Sequence, residues 1–191
     1  MNLETFFAGN MESQDVQSLL RTIKYQDSGD YAEIHDGAFV VLGDLILNDP
    51  YNLASAIPPT SGVLDDNTYV ATAPAALTDK VVVVDLSEVS NGVIANNNYR
   101  IGIKQFGLRT PAAMPARVRI MKPYDVFWLN EDCFTAEPTL GEYAVLTVAD
   151  THLTPAAAAP IAGNFGVQIM STRDHTAGNN SISTLYLCQV I

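Results

Sequence analysis

From about residue 25 onward, apolar and polar positions alternate in short runs bounded by turn residues, the pattern of strands half-buried in a sheet. Tyr99-Arg-Ile-Gly-Ile-Lys104 places Tyr99, Ile101 and Ile103 on one face and Arg100 and Lys104 on the other. Arg117-Val-Arg-Ile-Met121 alternates in the same way, with Arg117 and Arg119 outward and Val118 and Ile120 inward. Lys80-Val-Val-Val-Val-Asp-Leu86, with its four consecutive valines, is the purest β signal in the chain. Further strands are predicted near 31–34, 38–47, 124–129 and 143–148, and Asp36-Gly37 is a hairpin-turn signal. The last segment reads as a hairpin, with 165–170 and 183–191 flanking the polar turn 173–180. About nine strands at such spacings predict a mainly β fold, a small β-barrel or β-sandwich.

Residues 1–24 follow a different period. Val16, Leu19, Leu20 and Ile23 fall at i, i+3, i+4 and i+7, predicting a short amphipathic helix over about 13–24. Ser13 suits its N-cap, Asp15 its first turn, and Arg21 and Lys24 its last. Leu3, Phe6 and Phe7 precede it and need cover from water. The segment 1–24 is therefore expected to be an N-terminal arm that either caps its own domain or grips a neighbouring subunit. The β domain then runs over 25–191, with an irregular 48–79 loop in which Tyr69 to Thr72 has the makings of one short strand.

The aromatic residues Tyr124, Phe127, Trp128, Phe134 and Tyr143 concentrate in one stretch. In a strand from Tyr124, Val126 and Trp128 share a face, while Phe127 and Leu129 take the other. Both faces are then apolar, as expected of a strand between a core and either a second sheet or a partner.

Composition adds two constraints. Only 16% of residues are charged, against 48% hydrophobic, where a soluble chain usually carries about a quarter charged residues. A surface so sparsely charged suggests cover by partners. The net charge of −11 is unevenly spread, because no acidic residue lies between Glu88 and Asp125. That gap holds Arg100, Lys104, Arg109, Arg117, Arg119 and Lys122, six of the ten basic residues. The basic strip is expected either to neutralise acidic loops of its own subunit, such as Glu131-Asp132, or to dock on an acidic partner. Nucleic acid is not an expected partner of so acidic a chain. Membrane spanning is not expected either, since no apolar run approaches about 20 residues.

No catalytic or cofactor motif stands out. Cys133 and Cys188 lack the paired spacing of a zinc site and are expected to be reduced and packed as small hydrophobes. Neither a Walker loop nor a G-x-S-x-G elbow occurs. Asp150-Thr-His152 and Arg173-Asp-His175 bring Asp close to His in apparent turns, a spacing that is not diagnostic. Asp65-Asp66-Asn67 reads as a turn more than a calcium ligand set. Glu131, Asp132, Glu137 and Glu142 would need to face each other across a cleft to act as glycosidase carboxylates. The expectation is a protein that is not an enzyme and needs no cofactor or metal.

An order of short motifs over about residues 30–150 resembles bacteriophage head decoration (capsid cement) proteins. Ile34-His-Asp-Gly-Ala-Phe-Val-Val-Leu-Gly43 looks like their early "dG-x-apolar-V-x-L-G" element. Pro115-Ala-Arg-Val-Arg-Ile120 resembles their "pvR" strand, and Asp125-Val-Phe-Trp-Leu129 their "gD-x-F" strand, with Tyr124 in place of the glycine. Pro138-Thr-Leu-Gly-Glu-Tyr143 resembles "Pro-x-x-Gly-x-Tyr".

The resemblance implies a structural virion protein on the outside of an assembled capsid, made in the host cytoplasm and acting as a homo-oligomer on the major capsid protein. The residues expected at capsid or subunit interfaces are Leu3, Phe6, Phe7, Val16, Leu19, Leu20 and Ile23 of the arm. Arg100, Lys104, Arg117 and Arg119 of the basic strip join them. The alternative is a carbohydrate-binding or hydrolytic β domain of a virion or cell-surface protein. Trp128 exposed in a cleft beside Glu131, Asp132 or Glu137 would favour that alternative.

Overall fold

A computed structural model describes residues 4–11, 19–45, 68–86, 108–176 and 182–191. In chain order its strands are β1 (Phe6–Ala8), β2 (Leu20–Asp27), β3 (Asp30–Tyr31), β4 (Ile34–His35) and β5 (Phe39–Leu45). There follow β6 (Thr68–Thr72), β7 (Val81–Val84), β8 (Arg109–Thr110), β9 (Ala116–Ile120) and β10 (Val126–Asn130). The series ends with β11 (Tyr143–Leu146), β12 (Leu153–Ala156), β13 (Gly166–Thr176) and β14 (Ile182–Val190).

Five strands close into a barrel in the order β2-β6-β5-β7-β9, with β9 returning to pair with β2. The β2–β6 pair is parallel, and every other pair in the ring is antiparallel. Ile23, Val40, Ala71, Val82, Val84, Ala116 and Val118 fill the interior. So narrow a barrel has room for small side chains at some layers, which Ala71 and Ala116 supply. Six other strands form a sheet in the order β1-β10-β14-β13-β11-β12. Between sheet and barrel lies a second core of Phe6, Phe39, Val81, Val83, Phe127, Leu129, Ile169 and Cys188. Phe127 anchors it, with ring centroids 5.4 Å from Phe6 and 6.5 Å from Phe39.

The two cores share β5 and β7. Val82 and Val84 face into the barrel while Val81 and Val83 face the sheet, so all four valines are buried. An alternating strand has one wet face; a strand walled on both sides must be apolar throughout.

The predicted helix over 13–24 is corrected where the structure describes it. Leu20 to Lys24 belong to strand β2, while 13–18 lie outside the described residues. The backbone of this segment has a partner on each side, Arg119 to Ala116 antiparallel and Thr68 to Ala71 parallel. Two ladders outweigh the local period set by four apolar residues, and Thr22, Ile23 and Tyr25 suit a strand in any case. The boundary expected at 24/25 therefore falls inside one strand.

The expected neighbour-gripping role is corrected for Phe6 and Ile23, which are fully buried in their own subunit's cores. Phe7, Leu19 and Leu20 are half-buried, whereas Leu3 and Val16 lie outside the described residues.

Within the expected 48–79 loop, Thr68–Thr72 is strand β6, the short strand foreseen there, and 46–67 lie outside the described residues. Asp36-Gly37 does turn the chain, with Gly37 at φ 81°, but β4 and β5 on either side of it do not pair. The two-residue hairpin is instead Ser28-Gly29 between β2 and β3, both residues at positive φ as a type I′ turn requires.

Candidate functional site

Three groupings of side chains deserve chemical scrutiny: the basic strip, a buried polar cluster, and the outer face of the sheet. Arg117 and Arg119 flank the inward-facing Val118 on β9, as the alternation predicted. Asp85 follows the four valines and lies beside them on the neighbouring strand's end. Its Oδ2 accepts from Arg117 Nη2 at 2.7 Å and from Arg119 Nε at 2.6 Å. Asp85 is 5% exposed, and the Arg119 side chain only 11%. Arg117 and Arg119 are thus both paired within their own subunit, the first of the two roles expected of the strip, while the Arg117 side chain remains 37% exposed. The acidic partner is Asp85, not Glu131-Asp132. Arg100 and Lys104 lie outside the described residues.

The polar cluster sits where β1 enters the sheet. His152 Nδ1 is 2.5 Å from Asp150 Oδ1, and its Nε2 is 3.1 Å from Glu4 Oε1. The Glu4 carboxylate, 3% exposed, holds the His152 pKa up to about 9, with Asp150 adding to it against the lowering effect of burial. For Asp150, burial alone would raise the pKa, but hydrogen bonds from His152 bring it below the usual carboxylate range.

Close by, Asn130 Oδ1 accepts from Thr5 N at 2.7 Å and from the Cys133 thiol at 3.2 Å. Burial pushes the Cys133 thiol well up, and the Glu4 charge pushes the same way. Burial also raises Cys188. Both cysteines are free, buried thiols, and neither has thiolate character. A protonated imidazole with a carboxylate on each nitrogen is an ionic clamp on the N-terminal segment, since a general base needs a free lone pair. Glu4 lies 148 residues from His152, so no local signal announced the pairing.

This clamp predicts a pH dependence. A pKa raised on folding contributes stability that is fully present below about 6.5, the unfolded value, and is lost as pH rises through about 9. Wild-type Tm is therefore expected to fall between pH 6.5 and 9 relative to His152→Gln, by an amount on the order of 1 kcal/mol, or about 2–4 °C. Parallel Tm profiles for the two proteins over that window would refute the clamp.

The outer face of the sheet is chemically different. Phe7, Trp128 and Leu187 stand directly opposite one another on β1, β10 and β14, and all three are half-buried. They share the face that points away from Phe127 and Leu129, which are fully buried in the core. The Arg173 guanidinium lies 4.1 Å from the centroid of the Trp128 ring. An apolar row with an arginine stacked on its central tryptophan has the composition of a protein–protein anchor, where Trp and Arg are enriched. The sequence placed Val126 and Trp128 opposite Phe127 and Leu129 correctly. It did not foresee Arg173, which the long β13–β14 hairpin carries to the indole.

Among the described residues, no group of three or more His, Cys, Asp and Glu could hold a metal ion, and no helix is long and apolar enough to cross a membrane. No family model, curated protein or solved structure matches this chain.

Proposed function

We propose that this chain is a structural virion protein that binds the outside of an assembled phage capsid and braces neighbouring major capsid subunits, acting as a homo-oligomer. The observation that carries the reading is the half-buried row Phe7–Trp128–Leu187 across three strands, with Arg173 over its central indole. Such a face suits docking on another protein. A sugar ring needs an open aromatic face, and Arg173 lies over the indole here, which disfavours the carbohydrate-binding alternative.

The backbone at the motif positions adds support. Gly37 and Gly141 have φ of 81° and 84°, and Tyr124, where the decoration proteins have glycine, has φ 73°. Left-handed backbone is what a glycine in those motifs would serve. The aspartates of the same motifs clamp the backbone. Asp36 accepts from Phe6 N and Leu86 N, and Asp125 accepts from Lys122 N.

A protein that contacts several shell subunits at once binds only the assembled, expanded state and stabilises it by mass action. Turnover plays no part. Co-sedimentation with expanded and precursor capsids of the encoding phage tests the proposal. The wild type should pellet with expanded capsids, and Trp128→Ala and Arg173→Glu should each weaken binding at least tenfold. Arg173 is exposed, so its variant should keep the wild-type Tm. Wild-type protein left in the supernatant, or a folded Arg173→Glu that binds as well as wild type, would overturn the proposal.

A further inference from the structure

A groove of about 770 Å³ opens where barrel and sheet diverge, lined by Val41, Leu42, Ile120, Met121, Phe165 and Ile191. Lys80 and Lys122 stand on its rim, and both are exposed. The β7–β9 ladder pairs Val82 with Ile120 and Val83 with Arg119. Lys80 directly precedes β7 and Lys122 follows β9 by two residues, so both cations come from the same end of that ladder. Two exposed like charges on one rim favour an anion against them.

The other described basic side chains are engaged. Arg109 pairs with Glu33, Arg117 and Arg119 with Asp85, Lys24 lies over Tyr31, Arg173 stacks on Trp128, and Arg21 bonds to the Leu20 carbonyl. Asp79, an acidic side chain in the lining, accepts from Ala75 N and Ala76 N and so caps its own turn.

We infer that this groove docks an acidic, apolar segment of a partner protein, with apolar side chains in the groove and carboxylates against Lys80 and Lys122. On a protein of net charge −11, most of the surface repels such a segment, which confines it to this rim. The groove is large and its two charges sit on different chain segments. That suits an extended peptide with several carboxylates better than an amphiphile with one head group.

The inference does not depend on the capsid reading, and it is tested without capsids. A fluorescein-labelled peptide of alternating leucine and aspartate is titrated with the full chain by fluorescence anisotropy. A leucine–lysine peptide and dodecanoate serve as comparisons. The wild type should bind the acidic peptide in a salt-sensitive manner and should not bind the basic one. Lys80→Glu with Lys122→Glu should weaken binding at least tenfold without lowering Tm, because both side chains are exposed. Phe165→Ala should also weaken binding, which locates the peptide in the groove. Acidic-peptide binding that survives the double charge reversal would overturn the inference. So would dodecanoate binding in place of the peptide, or binding of neither.

Discussion

Asp85→Ala should destabilise the protein by about 3–5 kcal/mol. The carboxylate is 5% exposed and holds two guanidinium groups on one oxygen. Without it, Arg119 is left nearly buried with its main counter-charge gone, and Arg117 stands two residues away on the same face of β9 with the same sign. The midpoint of urea unfolding reads the loss, with an unchanged slope showing that the unfolded state is not at issue. Adding Arg117→Ala and Arg119→Leu to Asp85→Ala should recover a substantial part of it, because the penalty belongs to stranded charge. An Asp85→Ala protein as stable as wild type would mean that the arginines find other partners, and the basic strip would return as a docking candidate.

Asp36→Ala should cost roughly 3–5 kcal/mol through a different route. One carboxylate oxygen accepts from Phe6 N at 2.9 Å, and the other accepts from Leu86 N at 2.8 Å. One buried side chain thereby joins the first strand of the sheet to the segment leaving β7 of the barrel. Alanine deprives both amides of a charged acceptor at a position with no exposed surface. Asparagine keeps one acceptor but turns an NH2 group toward the other donor, so Asp36→Asn should lie between wild type and alanine. Urea unfolding measures the totals, and hydrogen exchange at the Phe6 amide tests the cause. If that amide exchanges no faster in Asp36→Ala, the bond does not hold β1 in place.

Both residues mark where the chain's order was legible and where it was not. The valine run, the Arg117–Met121 alternation, the 143–148 strand and the terminal hairpin were all readable, because each is a local pattern enforced by burial. The barrel was one of two architectures that strand spacing allows. Its closure depends on β2 meeting β9, about a hundred residues away, which no local pattern encodes.

The same limit explains the misplaced helix. Val16 and Leu19 completed a 3.6 period with Leu20 and Ile23, while the ladders that claimed Leu20 to Lys24 were invisible. The face of Trp128 was legible from alternation, but the arginine upon it was not. Asp85 stands at the end of the valine run, and a carboxylate directly after a fully buried run must find a cation or stay at the surface. That was the usable signal.

The position of β14 carries a consequence for biosynthesis. It lies between β10 and β13 in the middle of the sheet, yet it emerges from the ribosome after every other described strand. Until then β10 and β13 each expose an unpaired edge, and the Phe127 side of the core lacks Tyr186 and Cys188. A chain broken off near residue 181 therefore keeps two half-sheets with sticky margins, where loss of an outer strand would leave a smaller but continuous sheet. Such fragments should aggregate or be degraded, so the folded product is drawn from chains that include β14.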